Sequence, residues 1–276
     1  MGNDQWTRVT VRRPCPICKK SDWCGISFDG RLAICMRTES KKRSKNGGFV
    51  HRLDDDQAVA PLPRPVRSKG PVRRVPWRAT MLACVDEIMR VQLKDLADAF
   101  GCPIGTLERM QVGWSCSNDA YTIPMRDADG EPIGIQLRYR NGRKLCIKGS
   151  HLGLFGTQCQ NAEPVIVTEG ASDCAYVMAM GFHAIGRPSN VSGHELVAEY
   201  LGRMDKPDVV VICDRDKEGS PAAAATKRGA QQLAKSVRRQ CRTLKIVKPP
   251  ADKDVRAWAP SKAAFEAVVK NARLTT

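Results

Sequence analysis

No apolar run in this chain of 276 residues approaches the roughly 20 residues that a membrane-spanning helix needs, so such a helix is excluded. The amino terminus, Met1-Gly-Asn-Asp-Gln, has no apolar signal region, and a cytoplasmic location is expected. No Gly-x-x-x-x-Gly-Lys-Ser/Thr phosphate loop occurs, so no helicase motor is expected here. Acid is in deficit: 29 Asp/Glu stand against 45 Lys/Arg, a net charge of +16. The imbalance is uneven, because residues 1–78 hold 18 Lys/Arg against 7 Asp/Glu and so carry +11 of that total. Positive charge gathered in the first quarter suits nucleic-acid phosphates, with a solubilising tail as the bland alternative.

Against that deficit, the acids from Pro164 to Gly219 fall at significant places. Val165-Ile-Val-Thr168 is an apolar, β-branched run ending in Glu169-Gly170, and a helical pattern follows through Met180. Val209-Val-Val-Ile-Cys213 is a second such run, ending in Asp214-Arg-Asp216, with Gly219 and an Ala-rich helix behind it. Runs this apolar suit strands buried on both faces, hence a parallel sheet covered by helices and an α/β fold. Sites in such sheets form beyond the carboxyl ends of the strands, where these acids lie. Residues i and i+2 of an extended segment point the same way, so Asp214 and Asp216 are expected to project together toward Glu169. Three converging carboxylates repel unless a divalent cation sits among them, and hard oxygen ligands suit magnesium or manganese. Helix capping by Asp explains one of these residues but not all three.

The twelve cysteines divide into two classes. Cys84, Cys102, Cys116, Cys146, Cys159, Cys174, Cys213 and Cys241 are scattered, several within apolar patterns, and read as buried thiols in a reducing compartment. Cys15, Cys18, Cys24 and Cys35 are clustered, and the spacing admits a tetrahedral thiolate site for structural zinc. Asp29-Gly30 marks a hairpin that brings Cys24 and Cys35 together. The spacing departs from paired Cys-x-x-Cys ribbons, which leaves His51 as an alternative to Cys24. A module this small and polar has too little core to fold unaided, so the ion contributes much of its stability. Arg12, Arg13, Lys19, Lys20, Arg31, Arg37 and the run Lys41–Lys45 make it basic. Trp23, Phe28 and Phe49 either stack on unpaired bases or pack around the zinc.

Pro61, Pro63, Pro65, Pro71 and Pro76, interleaved with arginine and lysine, mark a semi-rigid extended tether. Residues 80–113 look helical, with Leu82, Val85, Ile88 and Met89 on one stripe, then Leu93, Leu96, Ala97 and Phe100 before Gly101. The pair reads as a packed cap in preference to a DNA-reading helix-turn-helix. Tyr121–Met125, Pro132–Tyr139 and Lys144–Ile147 alternate with period two, and Asp129-Gly130 and Asn141-Gly142 are the turns between them. Thr243–Val247 is a last strand and Ser261 caps a last helix to Asn271.

Glu169-Gly170-x-x-Asp173 after one strand and Asp214-x-Asp216-x-x-Gly219 after another resemble the TOPRIM domain over about residues 164–258. Pro249-Pro-Ala-Asp-Lys253-Asp254 is similar to the Lys-Asp segment that follows the last TOPRIM strand in phage-type primases; Asp254 is the better match and Asp252 the alternative. Gly149-Ser150-His151 with Leu154-Phe155-Gly156, and a cysteine module placed ahead, resemble the rest of a phage or bacterial DNA primase. The resemblance implies a zinc-binding module over 1–53, a linker over 54–78, an amino-terminal primase subdomain over 79–160 and a TOPRIM domain over 161–276. It implies metal-dependent synthesis of short RNA primers from NTPs on single-stranded DNA, with a replicative helicase acting in trans. Glu169, Asp214, Asp216 and Asp254 would then be catalytic, with Mg2+ or Mn2+ held by the first three. Arg138, Arg140, Lys144 and Lys148 would grip template or nucleotide phosphates. Asp173 would order a metal-bound water or position a base, and His151 would bind nucleotide or stabilise its turn. Two other TOPRIM roles compete, a non-enzymatic recombination mediator and a nuclease. Four tyrosines and so short a chain argue against a topoisomerase.

Overall fold

The computed structural model describes residues 6–44, 48–54, 59, 75–157 and 163–275. Cys159, Lys45 and nearly all of the proline-rich tether lie outside the described residues, and of the other scattered cysteines Cys116 and Cys146 are exposed and not buried as expected. The chain divides into two compact units, residues 1–73 and 74–276. Among the described residues no helix is long and apolar enough to cross a membrane.

The first unit is a four-stranded antiparallel sheet of β1 (Trp6–Arg8), β2 (Gly25–Ser27), β3 (Leu32–Cys35) and β4 (Phe49–Arg52), in that order. The turn between β2 and β3 passes through Gly30 at φ 72°, as the Asp-Gly signal predicts. Its core cluster is Val9 and Ile26 with Cys15, Cys24 and Cys35, so thiols make up three of its five buried residues.

The second unit begins with helices α1 (Trp77–Glu87), α2 (Arg90–Phe100) and α3 (Ile104–Arg109). Gly101, at φ 68°, closes α2 in the left-handed conformation. The stripe expected on the first helix is displaced: Met81 and Cys84 are buried, while Leu82 and Met89 are exposed, because the chain breaks between α1 and α2 and shifts the period. Leu93, Leu96, Ala97 and Phe100 are buried as their spacing requires. They pack on the sheet and on the helix after Glu169, which is a cap's role. The antiparallel sheet runs β5 (Gly113–Ser115), β6 (Ala120–Arg126), β7 (Pro132–Arg138), β8 (Lys144–Cys146). Strand β5 is too short to show a period.

The parallel sheet has the order β10 (His183–Arg187), β9 (Val165–Glu169), β11 (Asp208–Ile212), β12 (Thr243–Val247). Successive residues alternate between two apolar cores. Ile166, Val210 and Ile212 face one, with α4 (Gly170–Ala179) and α8 (Lys262–Asn271). Val165, Val167, Val209 and Val211 face the other, with α5 (His194–Leu201) and α6 (Pro221–Val237). This is the doubly covered parallel sheet expected of such runs. The two sheets are stitched by one extended segment: Leu154 exchanges backbone hydrogen bonds with Arg126, and Phe155 does so with Gly186 on β10. Close approach is essential there, since a Cβ on Gly186 would lie 2.5 Å from the Gly170 carbonyl oxygen.

Candidate functional site

Strands β9 and β11 are neighbours, and the helices after them leave from opposite faces, so their carboxyl ends open a crevice of the kind that holds ligands in α/β sheets. Glu169 is the last residue of β9. Strand β11 ends at Ile212, so Asp214 and Asp216 lie in the following loop and, contrary to expectation, the pleat does not force them to point together. Neither caps α6; Ser220 does, accepting from the Ala223 amide at 3.1 Å.

The acids form two overlapping groups. Glu169 is pushed up to about 7 by burial, opposed by Arg187 and reinforced by the charges of Asp214 and Asp216. Asp173, one turn along α4 and buried, is pushed up to about 7 by burial and then by Asp254 and Asp214. Asp214 belongs to both groups and is itself raised, by burial first. Among the described residues its one ion pair is loose, with Lys253 Nζ at 3.7 Å. Asp254 caps the short helix α7 (Val255–Trp258), where its Oδ1 accepts from the Ala257 amide at 2.7 Å. Asp252 is exposed in a turn and figures among the charge neighbours of neither group.

Glu169 does not stand alone. Arg187 lies beside it in register on β10 and donates from Nη2 to Oε1 at 3.0 Å. Asp216 Oδ2 accepts from Thr226 Oγ1 at 2.7 Å. Each carboxylate keeps a second oxygen that no hydrogen bond among the described residues uses. Among the described residues, the four cysteine sulfurs are the one set of three or more ligand atoms already drawn close enough to share an ion. The carboxylates nonetheless fit a divalent cation, because Glu169 and Asp214 are both disfavoured as bare charges and have oxygens to give. Glu169, Asp214 and Asp216 are the residues that would hold it.

Of the expected phosphate-gripping residues, Arg138 and Lys144 are cross-strand partners on β7 and β8. Loss of water around the Lys144 ammonium, with Arg138 beside it, holds it below the usual lysine range, while Asp173 and Asp214 pull the other way. Arg138 stacks over Phe100 at 4.9 Å and has Arg256 as a charge neighbour. Arg140 instead pairs with Asp95 at 3.3 Å and lies over Trp114. Lys148 and the His151 side chain are exposed. The backbone around His151 is structural: its amide donates to Ile133, and Ser150 Oγ accepts from the Ile135 amide. Sequence reasoning missed Arg187 and Arg256. The first was legible in part, as a cation ending the apolar run Ala184-Ile-Gly; the second carries no motif.

In the first unit the sulfurs of Cys15, Cys18, Cys24 and Cys35 all lie within 4.8 Å of one another. Those of Cys18 and Cys24 are 3.7 Å apart, against about 3.8 Å for a tetrahedron with Zn–S bonds of about 2.3 Å. Amides of Met36, Arg37 and Thr38 donate to Cys24 or Cys35 sulfur, the support that thiolates at a metal receive. His51 is elsewhere, its Nε2 at 3.0 Å from the Thr38 carbonyl oxygen, so Cys24 completes the set. The cluster fits zinc. Trp23 is 74 % exposed, whereas Phe28 and Phe49 are half-buried.

No protein-family model matches the sequence, and no curated protein does. Solved structures do match. The zinc-binding and RNA polymerase domains of the Aquifex aeolicus primase align over 100% of this chain and 80% of that one, at 12% identity and a TM-score of 0.57. The E. coli primase catalytic core aligns over 72% and 79%, at 18% identity and a TM-score of 0.53. A DnaG primase catalytic domain bound to single-stranded DNA aligns over 72% and 78%, at 18% identity and a TM-score of 0.50. At these identities the likeness is one of fold. The chain has the fold of primase catalytic cores, with a TOPRIM-type parallel sheet, an α+β subdomain before it and a four-cysteine module.

Proposed function

We propose that this protein is a DNA primase that joins ribonucleotides into short RNA on a single-stranded DNA template. One observation carries the reading: acids from the end of β9 and from the loop after β11 are charge neighbours at the carboxyl ends of the parallel sheet, with Lys144 and Arg256 beside Asp173. In each step the primer 3′-oxygen bonds to the α-phosphorus of a nucleoside triphosphate, the bond to the bridging oxygen breaks, and pyrophosphate and a proton leave. Glu169, Asp214 and Asp216 would hold a divalent ion, which would supply Lewis acidity. Arg138, Lys144 and Arg256 hold phosphate oxygens as cations. Asp173 has Lys144 and Arg256 among its charge neighbours and orients them. The basic four-cysteine unit, with exposed Trp23, binds unpaired template bases. One of the structural neighbours carries single-stranded DNA, which supports the template assignment.

The test is synthesis by the purified protein with Mg2+ or Mn2+, NTPs and single-stranded templates of varied sequence. Short RNA is expected, and Glu169→Ala should lower the yield by about a hundredfold or more. No product from wild type, or undiminished product from Glu169→Ala, overturns the proposal; nicking of supercoiled plasmid in place of synthesis would assign the same acids to hydrolysis.

A further inference from the structure

Asp216 lies beyond the end of β11, so the hydrogen-bonded ladder of the sheet does not fix its distance from Glu169. A chain of polar groups does. Arg187, fully buried, donates from Nη2 to Glu169 Oε1 at 3.0 Å and from Nη1 to the Asn190 carbonyl at 2.9 Å. Asn190 Nδ2 in turn donates to Thr226 Oγ1 at 3.1 Å, and that hydroxyl donates to Asp216 Oδ2 at 2.7 Å.

The direction of donation is set by chemistry. Guanidinium has donors only, and a hydroxyl has a single proton to give. The proton of Thr226 goes to Asp216, so its lone pair is what receives the Asn190 amide. A threonine within a helix ordinarily spends that proton on the carbonyl one turn back. Thr226 is 1 % exposed, so its hydroxyl has no solvent to turn to. Helix α6 also comes unusually close here, since a Cβ on Gly229 would overlap the Asn190 carbonyl.

We propose that Arg187, Asn190 and Thr226 form a brace that holds Glu169 and Asp216 at a fixed separation, and that this brace sets the affinity of the site for its divalent ion. The inference rests on the reading of Glu169 and Asp216 as metal ligands. The three residues are positioning residues; none needs to touch substrate. Removing the Thr226 hydroxyl leaves the Asp216 carboxylate free to swing on its loop, and takes from the half-buried Asn190 amide its acceptor. Ligand partners of this kind are worth about 10- to 100-fold in metal affinity.

The test is direct Mn2+ binding to the full, zinc-loaded chain, read from the free-ion signal in electron paramagnetic resonance. Thr226→Val, nearly isosteric, and Asn190→Ala should each weaken binding about tenfold or more, and Thr226→Ser should restore it. Because the links act in series, the double variant should be little weaker than Thr226→Val alone. Thermal melting of the same samples checks that α6 stays packed. If Thr226→Val and Asn190→Ala bind Mn2+ as wild type does, the brace is overturned and the metal site stands. If wild type binds no more Mn2+ than Asp216→Ala, the reading beneath it falls as well.

Discussion

In the small unit four thiols sit in the middle of the fold, and in the large unit the acids sit at its margin. Cys15, Cys24 and Cys35 make up most of the core cluster among the described residues of the small unit; without them only Val9 and Ile26 are left in it. Glu169, Asp214 and Asp216 line the end of a sheet whose two faces are already closed by apolar side chains. Zinc is therefore part of the fold in one unit, and the divalent ion proposed for the other would be a guest. Zinc removal is the largest way to break that comparison. A strong chelator should unfold residues 6–54, with a loss of about 10 kcal/mol of binding energy, while the large unit keeps its melting temperature. Limited proteolysis read by mass spectrometry checks this: cleavage within the small unit should appear at once, and the large unit should survive. Survival of both would show that the small unit has another source of stability.

The difference also governs what could be read in advance. Cysteine spacing is local, so Cys15, Cys18, Cys24 and Cys35 were legible, and only the choice between Cys24 and His51 needed the hairpin register, which pairs His51 with Ala33. The β9 and β11 runs were legible because full burial demands an unbroken apolar string. Strand β10 was not placed, since it ends in Arg187 and its neighbour across the ladder is Glu169, a pairing that composition does not announce. Asn190 and Thr226 carry no pattern at all. They meet only because α6 passes close to the loop after β10. Arg140 was grouped with Arg138 by the resemblance, yet Asp95, forty-five residues earlier, takes it up.

A substitution confined to the large unit sharpens the contrast from the other side. A methyl at Gly186 would press on the Gly170 carbonyl at 2.5 Å and on Cys174 Cβ at 3.0 Å. Backbone crowding of this kind costs about 1–3 kcal/mol. Gly186→Ala should lower the melting temperature of the large unit, leave the chelator response of the small unit unchanged, and reduce synthesis by displacing Glu169. Calorimetry before and after chelation separates the two transitions.

The buried carboxyl groups of the large unit predict a pH dependence. Asp173 is held at about 7 in the folded protein, against about 3.9 in an unfolded chain. A raised acid favours the folded state at low pH, and that contribution is lost as pH rises through about 7. Glu169 acts in the same sense. Without divalent ions, the large unit should therefore lose stability between about pH 4 and 7, by an amount on the order of 3 kcal/mol. Asp173→Asn should flatten about half of that slope, and Mg2+ or Mn2+ should stabilise wild type more at pH 8 than at pH 5. A slope unchanged in Asp173→Asn would place the burden on Glu169 and Asp214.

The smallest expected effect lies within the basic rim of the large unit. Arg138 and Lys144 face each other across β7 and β8 and feel the same Arg256. Arg140, two residues on, is exposed and paired with Asp95. An exposed ion pair contributes about 0–1 kcal/mol, and an arginine already partnered has less to offer a phosphate. Arg138→Ala should raise the KM for nucleoside triphosphates about tenfold, the loss of one charge-assisted contact of about 1.5 kcal/mol. Arg140→Ala should change it by no more than about twofold. Steady-state kinetics on one template decides the matter: equal effects would mean that Arg140 leaves Asp95 when substrate binds, and that the rim is wider than the resting ion pairs imply.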